Sequence, residues 1–126
     1  MTPEQINALL EQDNICSRAI CHYGEEAQRL IAIEEMSELT KELCKFSRDQ
    51  SSRDKIADEV ADVYICLSQI ELMFRLHDTV QERMAFKLRR LEQRMDDEDA
   101  VMDRAYVEWQ TGGGGDADSK SLLRHR

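Results

Sequence analysis

Backbone breakers are almost missing from this chain, and that restricts its fold more than any other feature. The single proline stands at position 3, and no glycine occurs between Gly24 and Gly112. Valine, isoleucine and threonine never alternate cleanly with polar residues, so nothing reads as a half-buried strand. Helix is expected nearly throughout, interrupted at polar clusters.

A first helix is predicted from Thr2 or Pro3 to His22, with Pro3 placed early, where its missing N–H does no harm. Gly24 marks a bend, and a second helix follows over about residues 25–47. The polar run from Ser47 to Ser52 connects to a third helix, capped by Ser51 or Ser52, and Ser51 with Asp54 resembles a capping box. That helix is expected to reach about Leu76. Thr79 with Glu82 reads as the capping box of a fourth, ending near Met95 at the acidic run Asp96–Asp99. Residues 100–110 read as a short fifth helix docking Tyr106 or Trp109. The predicted architecture is all-α: a four- to five-helix bundle over residues 1–110, with a flexible tail over 111–126. Slender helical protomers bury little surface, so association through helix packing is expected as well.

Charge and composition exclude several functions. A net charge of -9 opposes coating of nucleic acid, which needs a basic footprint. It leaves a nucleotide substrate open, because a metal ion inverts the field at a carboxylate cluster. Neither a membrane-spanning run nor a secretory leader is apparent, and a cytoplasmic location is expected. Cys16, Cys21, Cys44 and Cys66 fit no metal knuckle or disulfide framework and read as small buried thiols.

The informative side chains lie on the second and third helices. At about 100° per residue, Glu35, Glu38 and Glu42 fall within about 60° of one another. They flank an apolar arc of Ala32, Met36, Leu39, Leu43 and Phe46. Glu59 and Asp62 likewise edge an arc running from Ile56 through Val63 to Phe74. Packing the arcs together at an interaxial distance of about 8–10 Å turns the acidic edges toward each other. A hard divalent cation relieves the resulting repulsion, and oxygen-only donors suit magnesium, or manganese. The spacing alone also fits solvated charges and salt bridges to Lys41 or Lys45, since 26 acidic residues on helices produce such pairs by chance. A di-iron bundle wants Glu-x-x-His on two helices, and His22, His77 and His125 follow no glutamate at that spacing.

Glu34-Glu35-Met36-Ser37-Glu38, then twenty residues, then Glu59-Val60-Ala61-Asp62, resembles the EExxE…ExxD signature of the MazG-like nucleotide pyrophosphohydrolases. These belong to the all-alpha NTP pyrophosphatase superfamily. Tyr23-Gly24-x-Glu26-x-Gln28 before the first motif and Lys87-Leu88-x-Arg90-Leu91 after the second extend the likeness over residues 20–95. The resemblance implies magnesium ligation by Glu35, Glu38, Glu59 and Asp62, and hydrolysis of a (deoxy)nucleoside triphosphate to monophosphate and pyrophosphate by a homodimer or homotetramer. It makes Glu38 the candidate for orienting or deprotonating the attacking water, and Lys87 and Arg90 the candidates for holding β- and γ-phosphate oxygens. Arg48 and Lys55 are secondary phosphate candidates; Gln28 is placed to meet a base edge or ribose, and Tyr23 or Phe46 to stack on a base. The alternative is a non-catalytic helical protein, structural or nucleotide-sensing, that keeps the same fold.

Overall fold

A computed structural model describes residues 1–112. Those residues form four α-helices and no strand, in the all-α class that the sequence predicts. Helix α1 spans Pro3–Tyr23, α2 Glu25–Phe46, α3 Arg53–Phe74 and α4 His77–Gln110. Of the tail expected over 111–126, residues 113–126 lie outside the described residues.

Local chemistry sets the boundaries. Thr2 caps α1: its hydroxyl accepts from the Gln5 backbone N–H at 3.2 Å, and the Gln5 side chain accepts from the Thr2 N–H at 2.8 Å. Gly24 divides α1 from α2 at φ 95, ψ 153, a conformation open essentially to glycine alone. Ser52, not Ser51, caps α3, accepting from the Lys55 N–H at 3.3 Å. The expected Ser51–Asp54 box does not form, because the Ser51 hydroxyl donates to Glu42 instead. Helix α3 ends on Arg75 in the left-handed region, with the Leu76 N–H returning to the Glu71 carbonyl at 2.9 Å.

That tight reversal corrects the expected start of α4. The new helix begins at His77, two residues before Thr79, so Thr79 lies inside its first turn and caps nothing. Nor does it stop near Met95. Asp96–Asp99 continues as helix, and the expected separate helix over 100–110 is its final three turns. Aspartate costs a helix about 0.7 kcal/mol relative to alanine, too little to stop one, and Gln93 donates to Asp97 one turn on at 2.9 Å.

Met1–Val80 forms one compact unit and the described residues from Gln81 another. In the first, α2 and α3 make the most extensive contact and α1 packs on both. Cys16, Ala32 and Cys66 are the buried apolar side chains, with Gln28 and Gln69 buried beside them. Ile56, Val60, Val63 and Ile70 are half-buried, as the arc on α3 requires. Met36, Leu43, Phe46, Leu67 and Phe74 are exposed, because the apolar arcs are wider than the contact between these helices. Cys21 and Cys44 are exposed too, correcting the expectation that all four thiols are buried.

Candidate metal centre

The α2–α3 contact carries three carboxylates to one place. Glu35 of α2 and Glu59 and Asp62 of α3 each offer an oxygen, and these oxygens all lie within 4.8 Å of one another. Octahedral magnesium at about 2.1 Å sets adjacent ligand oxygens about 3.0 Å apart and opposite ones about 4.2 Å apart. The three side chains must therefore draw together to close on one ion. These acids form a small cluster able to coordinate a metal ion.

Electrostatics fit such an occupant. Partial burial pushes the Glu35 carboxyl above its usual range, and the charges of Asp62, Glu59, Glu34 and Glu38 push the same way. Glu59 is raised as well, by desolvation first and then by Asp62, Glu38, Glu42 and Asp58. Its Oε2 is sealed from solvent and has no hydrogen-bond partner among the described residues. A sealed carboxylate oxygen without a donor is costly, and either protonation or a bound cation removes the cost. All three donors are hard oxygens, the set preferred by magnesium and manganese.

The fourth expected ligand stands beside this set. Glu38 is half-buried and near enough for its charge to act on both Glu35 and Glu59, but it is not among the three whose oxygens meet. Glu42, on the same edge of α2, is engaged elsewhere. The Ser51 hydroxyl donates to its Oε2 at 2.6 Å and Lys45 lies 3.5 Å from its Oε1. The Ser51 hydrogen bond, with Lys45 and Lys55 in support, holds this carboxyl below its usual range. Ser51 escaped the sequence reading because its partner lies across the α2–α3 connection, where helical spacing says nothing.

Gln28 lies in the interior, 5 % exposed, with its Nε2 donating to Gln69 Oε1 at 2.7 Å and its own Oε1 unpartnered. Tyr23 and Phe46, the candidate stacking residues, are both exposed, and Tyr23 meets His22 edge-on at 4.7 Å. Arg48 and Lys55 are exposed at the α2–α3 connection and the start of α3. In the second unit Lys87 is exposed, and the Arg90 guanidinium lies 5.8 Å from the centre of the Phe86 ring. Tyr106 and Trp109, expected to dock, are exposed and stack on each other at 6.2 Å.

Cys66 lies near enough to the acids that burial, then Glu35 and Asp62, raise its thiol pKa. A groove of about 330 Å³ between α1 and α3, lined by Ala8, Glu11, Gln12, Ile15, Cys16 and Ile65, contains none of Glu35, Glu59 and Asp62. The acids occupy an open edge, with Asp62 exposed. No helix among the described residues is long and apolar enough to cross a membrane. No protein-family model, curated protein or solved structure matches this chain.

Proposed function

We propose that this chain is a MazG-like pyrophosphohydrolase, converting a (deoxy)nucleoside triphosphate to the monophosphate and pyrophosphate with magnesium, as a homodimer or homotetramer. The observation that carries this reading is the meeting of the Glu35, Glu59 and Asp62 oxygens within 4.8 Å, on the motif positions that the resemblance assigns to metal.

Glu35, Glu59 and Asp62 would hold the ion, which would supply charge neutralisation at the phosphates and a lowered pKa for the attacking water. Glu38, beside the three, orients the attacking water and accepts its proton. The water oxygen bonds to the α-phosphorus, the bond from that phosphorus to the α,β-bridging oxygen breaks, and pyrophosphate departs. Arg48 and Lys55, exposed at the α2–α3 connection and the start of α3, hold β- and γ-oxygens through charge-assisted hydrogen bonds. Gln28, buried and paired with Gln69, holds α2 against α3 and is not free to meet a base or ribose. The open edge at Asp62 suits a pocket completed by a second protomer.

A panel of nucleoside triphosphates with magnesium, scored separately for pyrophosphate and orthophosphate, tests the reading. Pyrophosphate release is expected, and Glu59→Gln or Asp62→Asn reduces it about 100-fold or more while the helical circular dichroism persists. Orthophosphate alone overturns the cleavage position. Absence of release, with magnesium still raising the thermal midpoint, favours a nucleotide sensor.

A further inference from the structure

Helix α4 past Val80 carries a pattern that the proposed chemistry does not use. Met84, Leu88, Leu91 and Met95 recur at alternating spacings of four and three, and Met102, Ala105 and Trp109 continue the rhythm after one polar interruption at Glu98. That is a heptad repeat, with Leu88, Met95, Met102 and Trp109 at a and Met84, Leu91, Glu98 and Ala105 at d. No glycine or proline interrupts it. The remaining faces are mainly charged, with Arg83, Arg89, Asp96, Asp97, Asp103 and Arg104, although Phe86 and Val107 are exposed there too. Every large apolar residue of the stripe is exposed, Trp109 at 66 % and Leu88 at 59 %. A stripe this continuous on an otherwise mainly charged helix wants a partner helix of matching period.

We propose that this stripe is the seam of a parallel two-stranded coiled coil with a second copy of the chain. The flanking charges select both occupant and direction. In a parallel pair each g residue faces the e residue five positions on in the other strand. Lys87 of one copy then meets Glu92 of the other, Arg94 meets Asp99, and Val101 meets Tyr106: two opposite-charge pairs and one apolar pair, each made twice. With the strands antiparallel and the same layers in register, Glu92 faces Asp99 and repels it. Glu98 is the one charged residue in the seam; it lies one turn from Arg94, weakens the middle layer and disfavours shifted registers. Arg90 lies at position c, off the seam, and Lys87 at g, on its rim. No carboxylate of the metal cluster enters the seam, so a crosslink and a pyrophosphate assay read the two proposals separately.

The test uses the full chain. In a parallel seam the two copies of residue 102 face each other, so Met102→Cys forms a 102–102 disulfide on mild oxidation, with the parent chain as control for its own cysteines. An antiparallel pair sets residue 102 against Leu91 and gives no such link. Adding Leu91→Glu removes the crosslink. Glu92→Lys, on the exposed rim, weakens dimerisation about tenfold, and Lys87→Glu combined with Glu92→Lys restores it. No 102–102 link, a link that survives Leu91→Glu, or a reciprocal swap that fails to restore association overturns the proposal. The rim substitutions keep the test decisive if Leu91→Glu disturbs the helix.

Discussion

Glu59 shows how one side chain ties stability to metal. Its carboxyl and that of Glu35 are raised above their usual range, so between the unfolded and folded values the native chain holds more protons than the unfolded one. The metal-free protein therefore loses stability as pH rises from about 4.5 through those folded values. Glu42 has the opposite sign: its pKa is lowered, so its contribution is present above the ordinary carboxylate value and lost as pH falls through the folded one. Magnesium is expected to raise the thermal midpoint at pH 7 and to do little near pH 4, by about 2.7 kcal/mol at a hundredfold excess over Kd. Glu59→Gln, which removes the charge but keeps the shape, raises the midpoint in chelator and abolishes the magnesium shift; thermal unfolding with and without chelator reads both, and an undiminished shift in the variant removes Glu59 from the metal site. The thiols give a second residue-scale prediction. Cys16 and Cys66 are buried with raised pKa values, whereas Cys21 and Cys44 are exposed. A thiol reagent should label two cysteines rapidly in the native protein and the other two only on unfolding. Helical periodicity made Glu35, Glu59 and Asp62 legible in the sequence, since it fixes where each Cβ points. The capture of Glu42 by Ser51 and the Gln28–Gln69 pair were not legible, because each depends on a contact across elements that no spacing encodes.

Two positive-φ residues at helix ends make opposite predictions for the elements. Gly24 stands at φ 95 with open space where a Cβ would be, so Gly24→Ala meets no clash and is penalised by backbone conformation alone. A loss of about 1–3 kcal/mol in urea unfolding is expected. Arg75 already occupies the left-handed region at φ 54, where glycine is the ordinary choice. Arg75→Gly should be stabilising, by about 0.5–1 kcal/mol after allowing for the freer unfolded chain. Equal signs for the two would show that conformation at these ends does not set their energetics. The helices themselves were legible because nothing in the sequence breaks them. The boundaries that misled were those inferred from side-chain chemistry without a backbone breaker. Thr79 and Glu82 match a capping box, but Arg75 had already turned the chain, and the run Asp96–Asp99 repels itself without stopping a helix.

At the scale of the whole chain, few apolar side chains are buried among the described residues. Cys16, Ala32 and Cys66 are the buried apolar residues among those described, and no large side chain is fully buried. The exposed large apolar residues leave from 39 % to 83 % of their surface in solvent, forgoing about 25 cal/mol for every Å² left in water. Ile6, Leu9, Leu30, Ile33, Tyr64 and Ile65 in the first unit are all exposed, as is the stripe along α4 in the second. The sequence implied association only in general terms, because periodicity locates an apolar face without saying which surface covers it. If copies supply the missing cover, stability must depend on concentration. For a dimer that folds as it forms, a tenfold rise in concentration adds about 1.4 kcal/mol, or about 3–6 °C in the thermal midpoint for a pair of this size. Light scattering at micromolar concentration should give at least twice 14.7 kDa. A midpoint independent of concentration together with a mass of one chain would mean that these helices stand without mutual cover; the shared pocket at Asp62 and the seam on α4 would then fall together.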